Sequence, residues 1–203
     1  MRTSILIGAA AMFALSGCQG EPMANDAAGE TANVAVATPP AANVAAPEPV
    51  DTAPALNLAP DELTLVLGTG GARHVTFGME KAAATQMVTA ALGSPIEQAT
   101  NEECGAGPLQ YAVFRDGLSL YFQDGKFAGW DLDGRENGKF STGNGIGIGT
   151  TRKALEDAAG PVAVEESSIG QEFTVGEMSG LLSANEPGGK VTNLWAGVTC
   201  IAR

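Results

Sequence analysis

The chain has 203 residues, with 11 Lys and Arg against 23 Asp and Glu, one His, three Cys and a formal net charge of -12. No run of basic residues occurs, which argues against nucleic acid and against anionic headgroups as partners, because both are held through neutralised negative charge. The acidic balance reads as solubility rather than as a surface dedicated to cations or to a basic partner.

Residues 1–18, MRTSILIGAAAMFALSGC, combine an early Arg, an apolar stretch and small residues ahead of a cysteine. That is the layout of a signal peptide over 1–17. Its apolar stretch falls short of the roughly 20 residues that a spanning helix needs. Leu15-Ser16-Gly17-Cys18 resembles a bacterial lipobox. The resemblance implies transfer of a diacylglycerol to the Cys18 thiol, cleavage before it and acylation of the new amino terminus, and several acyl chains make a stable membrane anchor. An Asp after the cysteine would resemble an inner-membrane retention mark; Gln19 stands there, which favours the outer membrane. The expected location is the bacterial cell envelope. From 18 to 60 the chain is rich in Ala, Pro, Asn and Val and lacks aromatic residues, so a disordered tether is expected, with a reach on the order of 35 Å.

The remainder, 61–203, is long enough for one modest core. LTLVLGTGGARHVTFG reads as two short strand-like runs broken at 68–71. A helix over 79–92, MEKAAATQMVTAAL, places Ala83, Met87, Val88 and Ala91 at helical spacing and stops at Gly93 with Pro95 beyond. Three strands are expected at 109–114, 117–123 and 126–132, with Asp116-Gly117 and Asp124-Gly125 at the turns. STGNGIGIGTT then leads into a second helix, TRKALEDAA, capped by Thr150 or Thr151 and ended by Gly160-Pro161. Three more strands are expected at about 167–173, 178–183 and 190–200.

The halves share marks. Gly78 precedes a helix ending Gly93-Ser94-Pro95, and Gly149 one ending Gly160-Pro161; Gly117-Leu118 matches Gly180-Leu181, Gly125-Lys126-Phe127 matches Gly189-Lys190-Val191, and Trp130 falls near Trp195. These predict a two-layer α+β domain of two tandem helix-plus-three-strand units, about 75–140 and 141–203, with the helices on one face of an antiparallel sheet. Over about 75–200 this order resembles the secreted β-lactamase inhibitor protein fold. It is also similar to the SmpA/OmlA-type outer-membrane assembly lipoproteins, which carry one such unit. The resemblance implies a fold and a protein partner, and carries over no contact residue.

With Cys18 lipidated, Cys104 and Cys200 remain as an even pair in an oxidising compartment, and one disulfide is expected. No cofactor or metal is expected. His74, the single histidine, has no GxSxG elbow beside it and reads as a solvated side chain. The 143–149 glycines fail both the dinucleotide and the P-loop spacings and read as a flexible link ahead of the second helix. The stretch Asp131-Leu132-Asp133-Gly134-Arg135 starts like a calcium loop, but Arg135 occupies a ligand position, so a polar turn is preferred. Glu102-Glu103 and Glu165-Glu166 could do acid-base work only if folded into one cleft.

The aromatic side chains of the first meander are mostly core, yet Tyr121 and Phe122 are adjacent and must point to opposite sides of a strand. Tyr121, Phe122, Trp130 and Trp195 are the candidate partner-binding residues. The expected function is that of a non-enzymatic, membrane-tethered binding module whose partner is an envelope protein, in outer-membrane assembly or as an inhibitor. The alternative is an envelope hydrolase or metal-dependent enzyme whose acidic residues converge without a linear motif. A third reading, a purely structural lipoprotein, predicts no exposed apolar patch.

Overall fold

The computed structural model of the chain describes residues 55–67, 70–136 and 138–201. The signal peptide 1–17, the lipidation site Cys18 and nearly all of the tether 18–60 lie outside the described residues. The last part of that tether is a strand, Ala55–Leu58 (β1), so the described fold starts at Ala55 rather than at Asp61. Leu56 and Leu58 are buried with one residue between them, the spacing of a half-buried strand. The indole N–H of Trp130 donates to the Ala59 carbonyl at 2.8 Å and ties this stretch to the core.

The architecture is mainly β: twelve strands in two sheets, with two α helices, among the described residues. This overturns the expected two-layer domain of tandem helix-plus-three-strand units. The smaller sheet joins β1 to Glu62–Val66 (β2), Ala72–Thr76 (β3) and Ser141–Thr142 (β8) in the order β3-β2-β1-β8, with β1 parallel to β8. The larger sheet is antiparallel. From edge to edge it contains Glu97–Asn101 (β4), Leu109–Val113 (β5), Leu118–Gln123 (β6), Lys126–Asp133 (β7), Val191–Gly197 (β12), Met178–Leu182 (β11), Gly170–Val175 (β10) and Ala163–Ser167 (β9). Two four-stranded meanders thus meet along β7 and β12.

Two strands of the large sheet that are missing from the expected pattern have no buried face. Strands β4 (EQATN) and β9 (AVEES) are exposed almost throughout, so no apolar alternation marks them. Their polar, charged character suits the edges of a sheet, where it discourages pairing with other chains. The expected strand at 167–173 is in fact the end of β9, a turn at 168–169 and most of β10.

The helices fall close to expectation. Lys81–Leu92 (α1) buries Ala84, Val88 and Leu92 at four-residue spacing. Its buried stripe is therefore turned from the expected one: Ala83 is exposed, and Met87 and Ala91 flank the core. Arg152–Ala159 (α2) is capped by Thr151, whose hydroxyl accepts from the Ala154 N–H at 3.2 Å. The glycine-rich stretch before it is pinned rather than flexible. Thr142 Oγ1 accepts from the Ile146 N–H at 3.0 Å, and Ile146 is buried.

One core collects the inward residues of both sheets and both helices, including Leu58 and Leu63, Val88 and Leu155, Phe114, Phe122, Phe127 and Trp130, and Phe173 and Leu194. The β6–β7 turn has Asp124 at φ 52° and Gly125 at φ 77°, the paired left-handed conformation of the tightest hairpins. A bulge then shifts the register: Phe122 faces Phe127 while Tyr121 faces Gly129. Phe127 and Trp130, three residues apart, both reach the core because of the extra residue. The β11–β12 pair carries the same irregularity, with Leu182 opposite Val191 and Leu181 opposite Asn193. By that landmark Trp130 corresponds to Leu194, and Trp195 corresponds to Asp131. The two tryptophans matched from sequence lie on opposite faces of the sheet.

Candidate functional site

Since both helices and the smaller sheet share the core with one face of the large sheet, its other face is left without a covering element from either helix. The side chains on that open face follow from the register. One row crosses all eight strands as Glu97, Val113, Ser119, Asp131, Trp195, Ser179, Thr174 and Ala163. Beside it run Ala99, Tyr111, Tyr121, Gly129 and Gly197 on one side, and Asp133, Asn193, Leu181, Glu172 and Glu165 on the other. Most are half-buried or exposed.

Asp131 occupies the middle of this face. Ser119 on β6 and Trp195 on β12 stand directly opposite it. Its Oδ1 is shut off from solvent and has no hydrogen-bond partner. Burial pushes the carboxyl up to about 6; the Ser119 and Tyr121 hydroxyls partly offset this, Asp133 adds to it and Arg135 opposes it. Tyr121 is held well above the ordinary phenol range, first by burial and then by the Asp131 charge. Asp133 goes the other way: the Arg135 side chain holds its carboxyl below the usual range, with Nε donating to Oδ2 at 2.6 Å and the backbone N–H to Oδ1 at 2.9 Å. These contacts make 131–135 a strand end and a polar turn, with Asp133 already engaged.

The aromatic groups form a ledge. The Tyr111 and Tyr121 rings lie 6.5 Å apart, tilted by 45°, and the Tyr111 hydroxyl donates to Glu97 Oε1 at 2.5 Å. One end of the face is closed by the disulfide. Cys104 and Cys200 are joined, with their Cα atoms 5.1 Å apart, and Asn101 Nδ2 donates to Cys200 Sγ at 3.2 Å. The segment after β12 crosses Gly129 closely enough that a Cβ there would meet the Val198 carbonyl at 2.1 Å. Only glycine fits that crossing. An open groove of about 670 Å³ lies between the 103–106 loop and the 197–201 segment, with Trp195 in its wall.

The candidate partner-binding residues separate by face. Tyr121 and Trp195 lie on the open face; Trp195 is 6% exposed and outside the main core cluster. Phe122 and Trp130 are 1% and 0% exposed and belong to the core, so neither can meet a partner, and their assignment is corrected; Trp195, on the open-face side, is buried as well and presents no free surface. The acidic pairs do not converge. Glu165 and Glu166 lie on β9, and Glu102 and Glu103 follow β4 at the opposite edge, seven inter-strand steps or roughly 30 Å away. His74 is exposed on β3, its Nδ1 2.8 Å from Glu62 Oε1, and that contact lowers the Glu62 pKa.

Sequence reasoning passed over Tyr111, Ser119 and Asp131 as members of one site. Part of the signal was present: Leu118, Leu120 and Phe122 alternate with Ser119, Tyr121 and Gln123, which marks the outward set of β6. The partners across strands depend on register and bulge. Among the described residues no group of three or more His, Cys, Asp or Glu could hold a metal ion, and no helix is long and apolar enough to cross a membrane. No protein-family model, no curated protein and no solved structure matches the chain.

Proposed function

We propose that the chain is a membrane-tethered, non-enzymatic protein-binding module of the bacterial cell envelope, and that its partner docks on the open face of the large sheet. The observation that supports this is the ledge of Tyr111 and Tyr121 on a face that neither helix covers. Tyr and Trp give large, stiff contact area at low entropic cost and are over-represented where partners bind. The tether and the Cys18 lipid supply the location.

Photo-crosslinking in cells tests the docking face. A photoreactive residue placed at Tyr111 is expected to give a discrete protein adduct, while one at Lys153, exposed on α2, gives none. Equal labelling from both positions, or none from Tyr111, overturns the reading. Cys18→Ser is expected to release the protein from membranes, and retention there counts against the lipid anchor.

The hydrolase reading has one observation in its favour: Asp131 and Asp133, on one face of one strand, have acidities displaced in opposite directions, as paired acid and base groups do. It predicts turnover of an envelope glycan or ester with an apparent pKa near 6 that disappears in Asp131→Asn. A flat rate across that pH range for the wild type removes it.

A further inference from the structure

We propose that the open face takes an arginine side chain from its protein partner, laid over Tyr121 and paired with Asp131. The inference rests on the binding reading above and adds the chemistry of the partner.

Three features point the same way. The first is charge: in the three open-face rows Glu97, Asp131, Asp133, Glu165 and Glu172 are acidic, and no Lys or Arg belongs to them. Arg135 stands just beyond the end of β7, bound to Asp133. The second is the unsatisfied acceptor. Asp131 Oδ1 has no donor and the Ser119 and Tyr121 hydroxyls only partly offset the cost of burying the carboxyl, so a guanidinium that meets the carboxylate from the open face adds stabilisation that the free protein lacks. The third is the Tyr111–Tyr121 ledge on the adjoining row, which offers ring faces to a flat cation.

Arginine fits this combination better than lysine. Its guanidinium is planar, weakly hydrated and carries five donors, so it can stack on a ring and still reach a carboxylate, whereas an ammonium holds its water more tightly. Pairing would favour the charged form of Asp131, whose acidity is weakened in the free protein. Binding near pH 6 should therefore release a proton and weaken as the pH falls. The groups that face this carboxyl are Ser119 and Tyr121 from β6, Asp133 on its own strand, Trp195 from β12 and Arg135 from the turn after β7.

The experiment is a nitrogen–proton NMR titration of the mature lipoprotein in neutral detergent micelles with an oligoarginine peptide, following the two tryptophan indole N–H signals. The Trp195 signal is expected to move, while that of Trp130, donated to Ala59 in the core, stays fixed as an internal control. Asp131→Asn should weaken the apparent affinity about tenfold, and Glu165→Gln, which removes the same charge at the sheet edge, less than about twofold. Wild-type affinity should fall between about pH 7 and pH 5. Equal effects of the two substitutions, or equal affinity for oligolysine, overturn the arginine assignment. If the photo-adduct at Tyr111 persists while oligoarginine leaves Trp195 unmoved, this inference fails and the docking face stands. Loss of both results sinks both.

Discussion

The two faces of the large sheet are made by the same strands and differ in almost everything else. Inward, Leu118, Leu120, Phe122, Trp130 and Leu132 are fully buried and apolar. Outward, the neighbours of those residues are Ser119, Tyr121, Asp131 and Asp133, which carry hydroxyls and carboxylates on half-buried side chains. The inner face is organised for stability by removal of apolar area from water. The outer face retains a carboxylate whose Oδ1 is buried without a donor, at a cost in stability.

Substitutions can break or sharpen this contrast. The largest expected effect is on the clasp that closes one end of the open face. Cys104 and Cys200 are 96 positions apart, and the chain-entropy model gives about 4 to 5 kcal/mol for closing such a loop; urea unfolding with and without reductant should show a loss of that order. On the inner face, Trp130→Ala should cost about 3 to 5 kcal/mol, and part of that loss is the indole hydrogen bond to Ala59. An unfolding midpoint within error of wild type would contradict the placement of Trp130 in the core.

Asp131→Asn should act in the opposite direction. The carboxyl titrates near 3.8 when unfolded and near 6 when folded, so the folded state holds the proton more tightly between those values. Stability therefore falls as the pH rises from about 4 through 6 and levels off above. At pH 7.5 the substitution should stabilise the protein by about 2 to 3 kcal/mol, and the gain should vanish by about pH 4. A destabilised variant at pH 7.5 would mean that Asp131 is structural. The smallest expected effect is that of Tyr121→Phe, a loss of about 1 kcal/mol at neutral pH, together with a further rise in the Asp131 pKa measured by carboxyl NMR. An unchanged pKa would separate Tyr121 from the carboxylate.

What was legible in the chain follows from how local each signal is. Both helices, the cap at Thr151, the Asp124-Gly125 turn and the central strands of both meanders come from short-range patterns, and the structure places them within a few residues. The Cys104–Cys200 bond was expected from parity once Cys18 was set aside as the candidate lipidation site, and the two cysteines are joined. Strand β1 was hidden by its Pro- and Ala-rich surroundings, and β4 and β9 by their lack of a buried side. Missing them led to the wrong fold class. The pairing of Trp130 with Trp195 went astray by one position: with Phe127 laid on Val191, Trp130 falls on Leu194, and in a strand one residue is the difference between the two faces.

The sequence by itself determined where helices start and stop, which strand residues alternate and how acidic the chain would be, because each depends on neighbours a few positions away or on a simple count. Only the tertiary structure decided that the edges are polar strands, that Phe122 and Trp130 are core while Tyr121 and Trp195 lie on the open face, and that Asp131 meets Ser119 and Trp195 across strands. Those outcomes depend on register between segments as far apart as 119 and 195, and register is fixed by burial of the whole inner face at once rather than by any local pattern.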